Sequence, residues 1–392
     1  MKIAVLLSRF PYPTDKGDKL RAYHQIKYLS KIHHIHLFCL SDEPVLEEHY
    51  KHVAAYCQTL EIVRLNKLQI FIRLMFNFFS TLPFQVAYFN DAAAKKKMSI
   101  WFDKIKPDVA FTQLARMAEF SRYQQGMHQV LDYQDCFSKG LEKRMHSDVW
   151  YKKTLIKLEW KRLKKYEAEI FSNYASCCVI SKQDAQHFEG IDATLIKIVG
   201  NGIDVNYYQP ANTTKSIPLL ISGNMQYPPT VKGVELIVNK VIPLLKNKYP
   251  QIYLLAAGKD PSKSIQKLTG KHLKTTGWQN DLRPYFNDSF IYCAPLQISV
   301  GLQNKILEAM AMGLPVITSS VCNSPIGALN KKDLLVADSP EEIAQAITFL
   351  MENEAIRSEL GKNARQFVVS HFSWDNANEK LRQLLFPKLS GF

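Results

Sequence analysis

Apolar runs and polar breaks follow one another along the chain in a regular order. The first run, "KIAVLLS", reads as a strand, and "RFPYPTDKGDK" after it is a polar loop punctuated by proline and glycine. "LRAYHQIKYLSKI" then places apolar residues at helical spacing through Leu20, Tyr23, Ile26 and Leu29. A second apolar run, "HIHLFCL", completes a strand–helix–strand start typical of a parallel sheet. The pattern predicts further strands over 60–64, 108–112 and 129–132, and another at "SCCVIS" (176–181). Between the last two, roughly 140–171, apolar and aromatic residues recur every three to four positions with lysines and arginines between them, as in "YKKTLIKLEWKRLKKYEAEIF". That spacing predicts one long helical segment.

The rhythm breaks at "VGNGIDVNYYQP" (199–210), which reads as a connector. A second series then begins. Strands are predicted at "IPLLISGN", "IYLLAAG", "FIYCAPL" and "LPVITSS". Helices are predicted at "TVKGVELIVNKVIPLLKN" and "NKILEAMAM", and then at "PEEIAQAITFLMEN", "EAIRSELGKNARQFVVS" and "WDNANEKLRQLLF". The boundary near 199 therefore divides two doubly wound α/β units.

Composition narrows the class. The chain has 392 residues, room for two ordinary domains, and its 46% hydrophobic content supports a substantial core. The net charge of +14 favours polyanionic partners: nucleic acid, acidic membrane or phosphorylated substrate. Nucleic acid is disfavoured, because no recognised binding module is present and the aromatics do not interleave with the lysines. The seven cysteines contain no CxxC pair and sit mostly in apolar runs, so they read as buried small hydrophobes in a reducing compartment, and a zinc site is not expected. "MKIAVLLSRF" is too short an apolar run for a signal core, and "LQIFIRLMFNFF" (68–79) is too short and too polar to span a bilayer. A cytoplasmic location is expected, with peripheral docking on the inner face of the cytoplasmic membrane as an option. No dinucleotide fingerprint or P-loop is present: the Gly200/Gly202 pair lacks a third glycine, and Gly270-Lys271 lacks an upstream one.

The richest stretch is "VGLQNKILEAMAMGLPVITSS" (300–320). Asn304 reads as an N-cap, which makes Lys305 the first helical residue. A cation there opposes the helix dipole by roughly 0.3–1 kcal/mol, a sign that a bound diphosphate would reverse. The competing reading is a solvated surface lysine. Glu308, one turn on, suits the diol of a ribose; its competing reading is an ion pair with Lys305. Gly313 is the expected helix stop.

This stretch resembles the nucleotide-sugar motif of family 4 glycosyltransferases with the GT-B fold. The resemblance extends, in order, through "NGIDVNYYQP", "LLISGNMQYPPTVKGVELI", "TGWQNDLRPYFNDSFIYCAPL" and "RSELGKNARQFVVSHFSWD", over most of 199–376, and more weakly through "RFPYPTDKGDKLRAYHQIKYLS". It implies two Rossmann-like domains facing one another across a cleft: 1–198 as the acceptor domain, with a C-terminal helix, 373–392, packing back onto it, and 199–372 as the nucleotide-sugar-binding domain. It implies transfer from a nucleotide diphosphate sugar, such as a UDP- or GDP-sugar, with retention at the anomeric carbon and no metal or other cofactor. The acceptor would be a glycan or a lipid-linked saccharide in surface polysaccharide biosynthesis. Glu308 matches the ribose-binding glutamate, and the turn Gly301, Leu302, Gln303, Asn304, Lys305 matches the one facing the diphosphate. Gly277 and Trp278 match the turn against the base, Gly223 and Asn224 the loop after the domain's first strand, and the turn at Gly17 the loop that meets the donor phosphates. Two departures stand out. Val300 occupies the position of a second glutamate that contacts the donor sugar. "SGNMQYPP" supplies Asn224 where an arginine is common, leaving Lys232 as the nearby cation.

First-half candidates stay open between two readings each. Asp132 and Asp135 follow a strand and are expected to point at the cleft, where either would orient a sugar or acceptor hydroxyl; Asp135 also reads as the cap of the next helix. Arg116 suits a phosphate or an ion pair with Glu119. Lys19, beside Asp18, suits the diphosphate. The histidines, including His24, His33 and His34, read as helix or loop surface. The basic "KRLKKYEAEIF" and aromatic "LQIFIRLMFNFF" segments suit an anionic membrane surface, or else pack their apolar faces in the first core with the lysines solvated. Alternative functions are a sugar-nucleotide epimerase or hydrolase on the same fold, or a catalytically degenerate, membrane-associated subunit.

Overall fold

Two wholly parallel sheets organise the chain. The computed structural model describes residues 1–147, 150–211, 213–297 and 302–387. Two compact units emerge, one of Met1–Asn201 with Ala377–Phe392, the other of Gly202–Asn376.

The first unit carries β1 (Lys2–Leu7), β2 (His34–Ser41), β3 (Thr59–Arg64), β4 (Val109–Gln113), β5 (His128–Gln134), β6 (Ser176–Val179) and β7 (Ile196–Ile198), in the order β3-β2-β1-β4-β5-β6-β7. The second carries β8 (Ile217–Ser222), β9 (Leu254–Ala257), β10 (Leu273–Thr275), β11 (Ser289–Ala294), β12 (Val316–Thr318) and β13 (Leu335–Val336), in the order β10-β9-β8-β11-β12-β13. β1, β4 and β8 are buried almost throughout, because helices cover both faces of a parallel sheet. Their sequences are accordingly continuous apolar runs. In each sheet the strand order reverses once, between β1 and β4 and between β8 and β11, and ligands of such sheets bind beyond the carboxyl ends at that point.

Three strands escaped the pattern: β7, β10 and β13. Each lies at a sheet edge and is only two or three residues long, too short for any periodicity. The expected single helix over 140–171 is two, Phe137–Ser147 and Trp150–Phe171. The helix that opens at Pro228 takes a π turn over Ile237–Val241, just before Pro243. Proline supplies no amide and its ring crowds the carbonyl one turn back, which the wider turn accommodates.

The first unit is closed by a strap at its end. Arg21 is buried, donates from Nε to Asp132 Oδ2 at 2.7 Å, and reaches with its other nitrogens Val199 O at 2.8 Å, Gly200 O at 3.0 Å and Asn201 Oδ1 at 3.0 Å. Asp132 also accepts from Gln25 at 3.1 Å and is fully buried. The expectation that Asp132 points into an open site is therefore corrected: its charge neutralises Arg21, and the pair holds the connector. Residues from Ala377 onward belong to this unit too. Leu381, Leu385 and Phe386 are buried with the residues of β1 and β2, Asn378 donates to His24 O, and Tyr28 donates to Glu379. His24 is buried, against its reading as a surface residue, and its ring meets Tyr23 edge-on.

Candidate functional site

Beyond the carboxyl ends of β8 and β11, where the second sheet reverses, lies a cavity of ≈ 160 Å³. Gly223, Asn224, Gln303 and Lys305 line it, with Tyr227 and Tyr292. The backbone shape of its floor comes from two glycines. Gly223 (φ +146°) and Gly258 (φ +155°) cross so closely that a Cβ on Gly258 would lie 1.7 Å from Gly223 O. Only glycine permits that approach.

The helix Asn304–Ala311 begins at the cavity. Its N-cap is Gln303, extended at φ −91° and ψ 92°, so the expected cap at Asn304 is corrected by one residue and Lys305 becomes the second helical residue. Asn304 is already helical, and the Gln303 side chain makes no cap bond. The first amides of any helix lack a carbonyl partner within it, which suits them to an anion. At the other end, Gly313 adopts φ +69° as expected. Gly313 N–H donates to Met310 O at 2.9 Å and Leu314 N–H to Ala309 O at 3.1 Å, the paired bonds of a Schellman stop. A Cβ on Gly361 would lie 2.2 Å from Gly313 O, so the helix Glu354–Phe372 rests directly on this stop.

Lys305 and Glu308 meet. Lys305 Nζ donates to Glu308 Oε1 at 2.9 Å and Oε2 at 2.7 Å, which realises the ion-pair reading. Glu308 is buried. Burial first, then the nearby Glu308 charge, pushes the Tyr208 hydroxyl well above its ordinary pKa. Arg365 holds this arrangement from behind, donating to Ala311 O at the helix C-terminus, to Tyr208 O at 2.8 Å and to Val205 O at 3.2 Å. Tyr292, buried in β11, places its hydroxyl 3.3 Å from Ser222 Oγ and lines the cavity floor.

Other second-half candidates fall elsewhere. Leu302 is half-buried against the core, and Asn304 is exposed. Lys232 is exposed on the helix Pro228–Leu236 and does not line the cavity. Gly277 has φ +67° in open space, and Trp278 beside it is exposed. Gly301 and Val300 lie outside the described residues.

In the first unit, the analogous reversal between β1 and β4 gathers charge. Arg116 Nε donates to Ser8 Oγ at 2.9 Å and Nη2 to Asp18 Oδ2 at 2.9 Å; Arg9 reaches the same oxygen at 3.1 Å. The proposed partner of Arg116, Glu119, instead takes Arg122 at 2.9 Å and the Tyr166 hydroxyl at 2.9 Å. Burial, and then the Arg9 charge, lowers the Arg116 guanidinium to about 10 against the pull of Asp18. Gly17 is the first residue of the helix Gly17–Leu29, and Lys19 pairs with Asp15 at 3.1 Å. Asp135 is exposed, and desolvation of its carboxyl, then the Asp184 charge, raises its pKa. Its capping reading is corrected: the helix Phe137–Ser147 is capped by Glu167, which accepts from Phe137 N–H at 2.9 Å and Ser138 N–H at 3.4 Å.

Sequence reasoning missed Tyr208, Arg365, Tyr292 and Glu167. Tyr208 sits in the quoted connector, where an aromatic pair beside Asp204 was the available signal. Arg365 and Glu167 carried none, since each acts on residues distant in the chain.

Residues 217–353 match the family model "Glycosyl transferases group 1". An uncharacterized glycosyltransferase of Methanocaldococcus jannaschii is 27% identical over 162 residues, 39% of this chain; the match spans 41% of that relative's length. An uncharacterized 44.6 kDa protein from the cps region of Klebsiella pneumoniae is 22% identical across 95% of this chain and 96% of its own. The crystal structure of Anabaena HepE in complex with UDP superimposes with a TM-score of 0.66 at 14% identity, covering 99% of this chain and all of that one (100%). The chain thus has the GT-B fold of glycosyltransferases, and its second unit matches glycosyl transferases group 1.

Proposed function

We propose that the protein transfers a sugar from a nucleotide diphosphate sugar to a hydroxyl of a glycan or lipid-linked acceptor, with retention at the anomeric carbon. The observation that carries this reading is the site at the β8/β11 reversal: a helix N-terminus, Lys305 and a buried Glu308, with Gly223 in the cavity lining. The diphosphate lies against the first-turn amides of Asn304 and Lys305. The lysine ammonium has three N–H groups, so it can contact a phosphate oxygen while still bonded to Glu308. Glu308, held by Lys305, takes the ribose diol. The acceptor oxygen bonds to the anomeric carbon on the face the phosphate leaves, the carbon–oxygen bond to the diphosphate breaks, and the acceptor proton passes to the leaving phosphate. Preorganised amides and cation stabilise the charge that grows on that phosphate. That HepE was crystallised with UDP supports a uridine donor, and the cps-region relative supports a role in surface polysaccharide synthesis.

A thermal-melting screen against UDP, GDP and their sugars tests donor binding, followed by transfer to acceptor extract and NMR of the product's anomeric configuration. A raised melting midpoint with one nucleotide, and an axial-to-axial or equatorial-to-equatorial outcome, is expected. No shift with any nucleotide overturns the donor reading, and inversion overturns the mechanism.

A further inference from the structure

One helix of the first unit is built inside out. Along the helix Lys67–Phe76 and the tight turn Asn77–Phe79, positions 68, 71, 72, 75, 76 and 79 form a single apolar stripe. Such a stripe ordinarily faces a core. Here Leu68, Phe71, Ile72, Met75, Phe76 and Phe79 are all solvent-exposed, from 46% at Ile72 to 93% at Phe79. The inward side of the same segment carries Ile70 and Leu74, with Arg73 and Asn77 tying it down. Arg73 donates to Tyr88 O at 2.8 Å and Asp91 at 2.5 Å, and Asn77 donates to Leu82 O at 2.8 Å. The reading that these apolar residues pack in the core is therefore corrected for all but Ile70 and Leu74, and a dense exposed patch of this kind marks an interaction surface.

The segment itself carries only cations, and the carboxylates nearest it are already engaged, Asp91 by Arg73 and Glu159 by the Phe84 and Gln85 amides. From Ile62 to Asn90 there is no Asp or Glu, while Arg64, Lys67 and Arg73 are present. The helix Trp150–Phe171 lies alongside, its Arg162 donating to Asn77 O at 3.0 Å and Phe78 O at 3.0 Å. One turn from Arg162 that helix exposes Leu158, flanked by exposed Lys157 and Lys161. Apolar and aromatic depth inside a basic rim is the complement of an anionic bilayer, where rings enter the acyl boundary and ammonium groups meet lipid phosphates. A second copy fits poorly, because it would bring two lysine rims together. Among the described residues no helix is long and apolar enough to cross a membrane.

We infer that this face seats the protein in the interface of an anionic lipid bilayer, with the Lys67–Phe79 segment lying in the membrane plane. The inference is independent of the sugar-transfer reading. Its test is flotation of the full chain with vesicles of phosphatidylcholine alone and of phosphatidylcholine with phosphatidylglycerol. The chain should float with the anionic vesicles and release as salt is raised. Phe76→Ser combined with Phe79→Ser should weaken binding at least about tenfold while leaving the melting midpoint unchanged, since both rings are exposed. Lys157→Glu with Lys161→Glu should remove the preference for anionic vesicles. Failure of the wild-type chain to float, or flotation that ignores the phenylalanine substitutions, overturns the proposal. So does a sedimentation mass showing a dimer that those substitutions return to monomer, with no vesicle binding.

Discussion

Lys305 spends two hydrogen bonds on one buried carboxylate, so its two readings, ion pair and phosphate contact, are compatible. Replacing it with alanine should lower kcat for sugar transfer roughly 100-fold, the scale for losing a single transition-state donor, with a smaller change in KM. Steady-state kinetics on the donor that the melting screen identifies checks this; an unchanged kcat removes Lys305 from the reaction. Glu308→Gln keeps the size of the side chain but loses the charge-assisted acceptor. It should weaken nucleoside diphosphate binding about tenfold in calorimetry, as expected for a lost hydrogen bond to a charged group. The Lys305–Glu308 pair was legible in the sequence because its members act within one turn of one another, whereas the helix cap lies one residue before the expected one. Asp132 was not legible. An aspartate at a strand end is a ligand-binding group or a buried counter-ion according to what faces it, and here that is Arg21, 111 residues away.

At the scale of elements, buried parallel strands announce themselves as apolar runs, whereas edge strands of two or three residues do not. Caps supplied from elsewhere are equally silent. Glu167 caps the helix Phe137–Ser147 from a neighbouring helix, and burial raises its pKa from 4.5 to about 7. A carboxyl raised on folding makes the folded state bind more protons than the unfolded one between those values. Its contribution to stability is therefore full below about pH 4.5 and is lost as pH rises through 7, amounting to about 3 kcal/mol at most. Denaturant titrations at about pH 5 and about pH 8, below and above the folded-state value, should show the wild-type first unit weaker at the higher pH. Glu167→Gln should flatten that difference; an equal slope in both proteins would show that Glu167 does not set it. At the β8/β11 reversal, Gly258→Ala forces apart two backbones, and it should destabilise the second unit by more than the ~1 kcal/mol typical of a point substitution.

For the whole molecule, the first unit is discontinuous in sequence: Met1–Asn201 is completed by Ala377–Phe392. Leu381, Leu385 and Phe386 are each buried there, worth ~1.5–3 kcal/mol apiece. Their sum rivals the stability of a typical domain. A chain ending at Asn376 should therefore lose cooperative melting of its first unit by circular dichroism, while Gly202–Asn376 retains its transition. Two independent transitions of unchanged midpoint would contradict this. The doubly wound pair was legible from strand–helix alternation and the break near 199. The inverted helix was not, because periodicity reports that a stripe exists and is silent about which way it faces.

Arg365 and Gly361 both act on the far end of the lysine-bearing helix, one by bonding Ala311 O and the other by letting a helix backbone rest on Gly313. In genetic terms, a screen for inactive variants would return both positions beside Lys305 and Glu308, although neither side chain lines the cavity. Arg365 variants would be rescued by compensating changes around Val205–Tyr208, the segment that Arg365 also holds, and not by changes among the cavity's own residues.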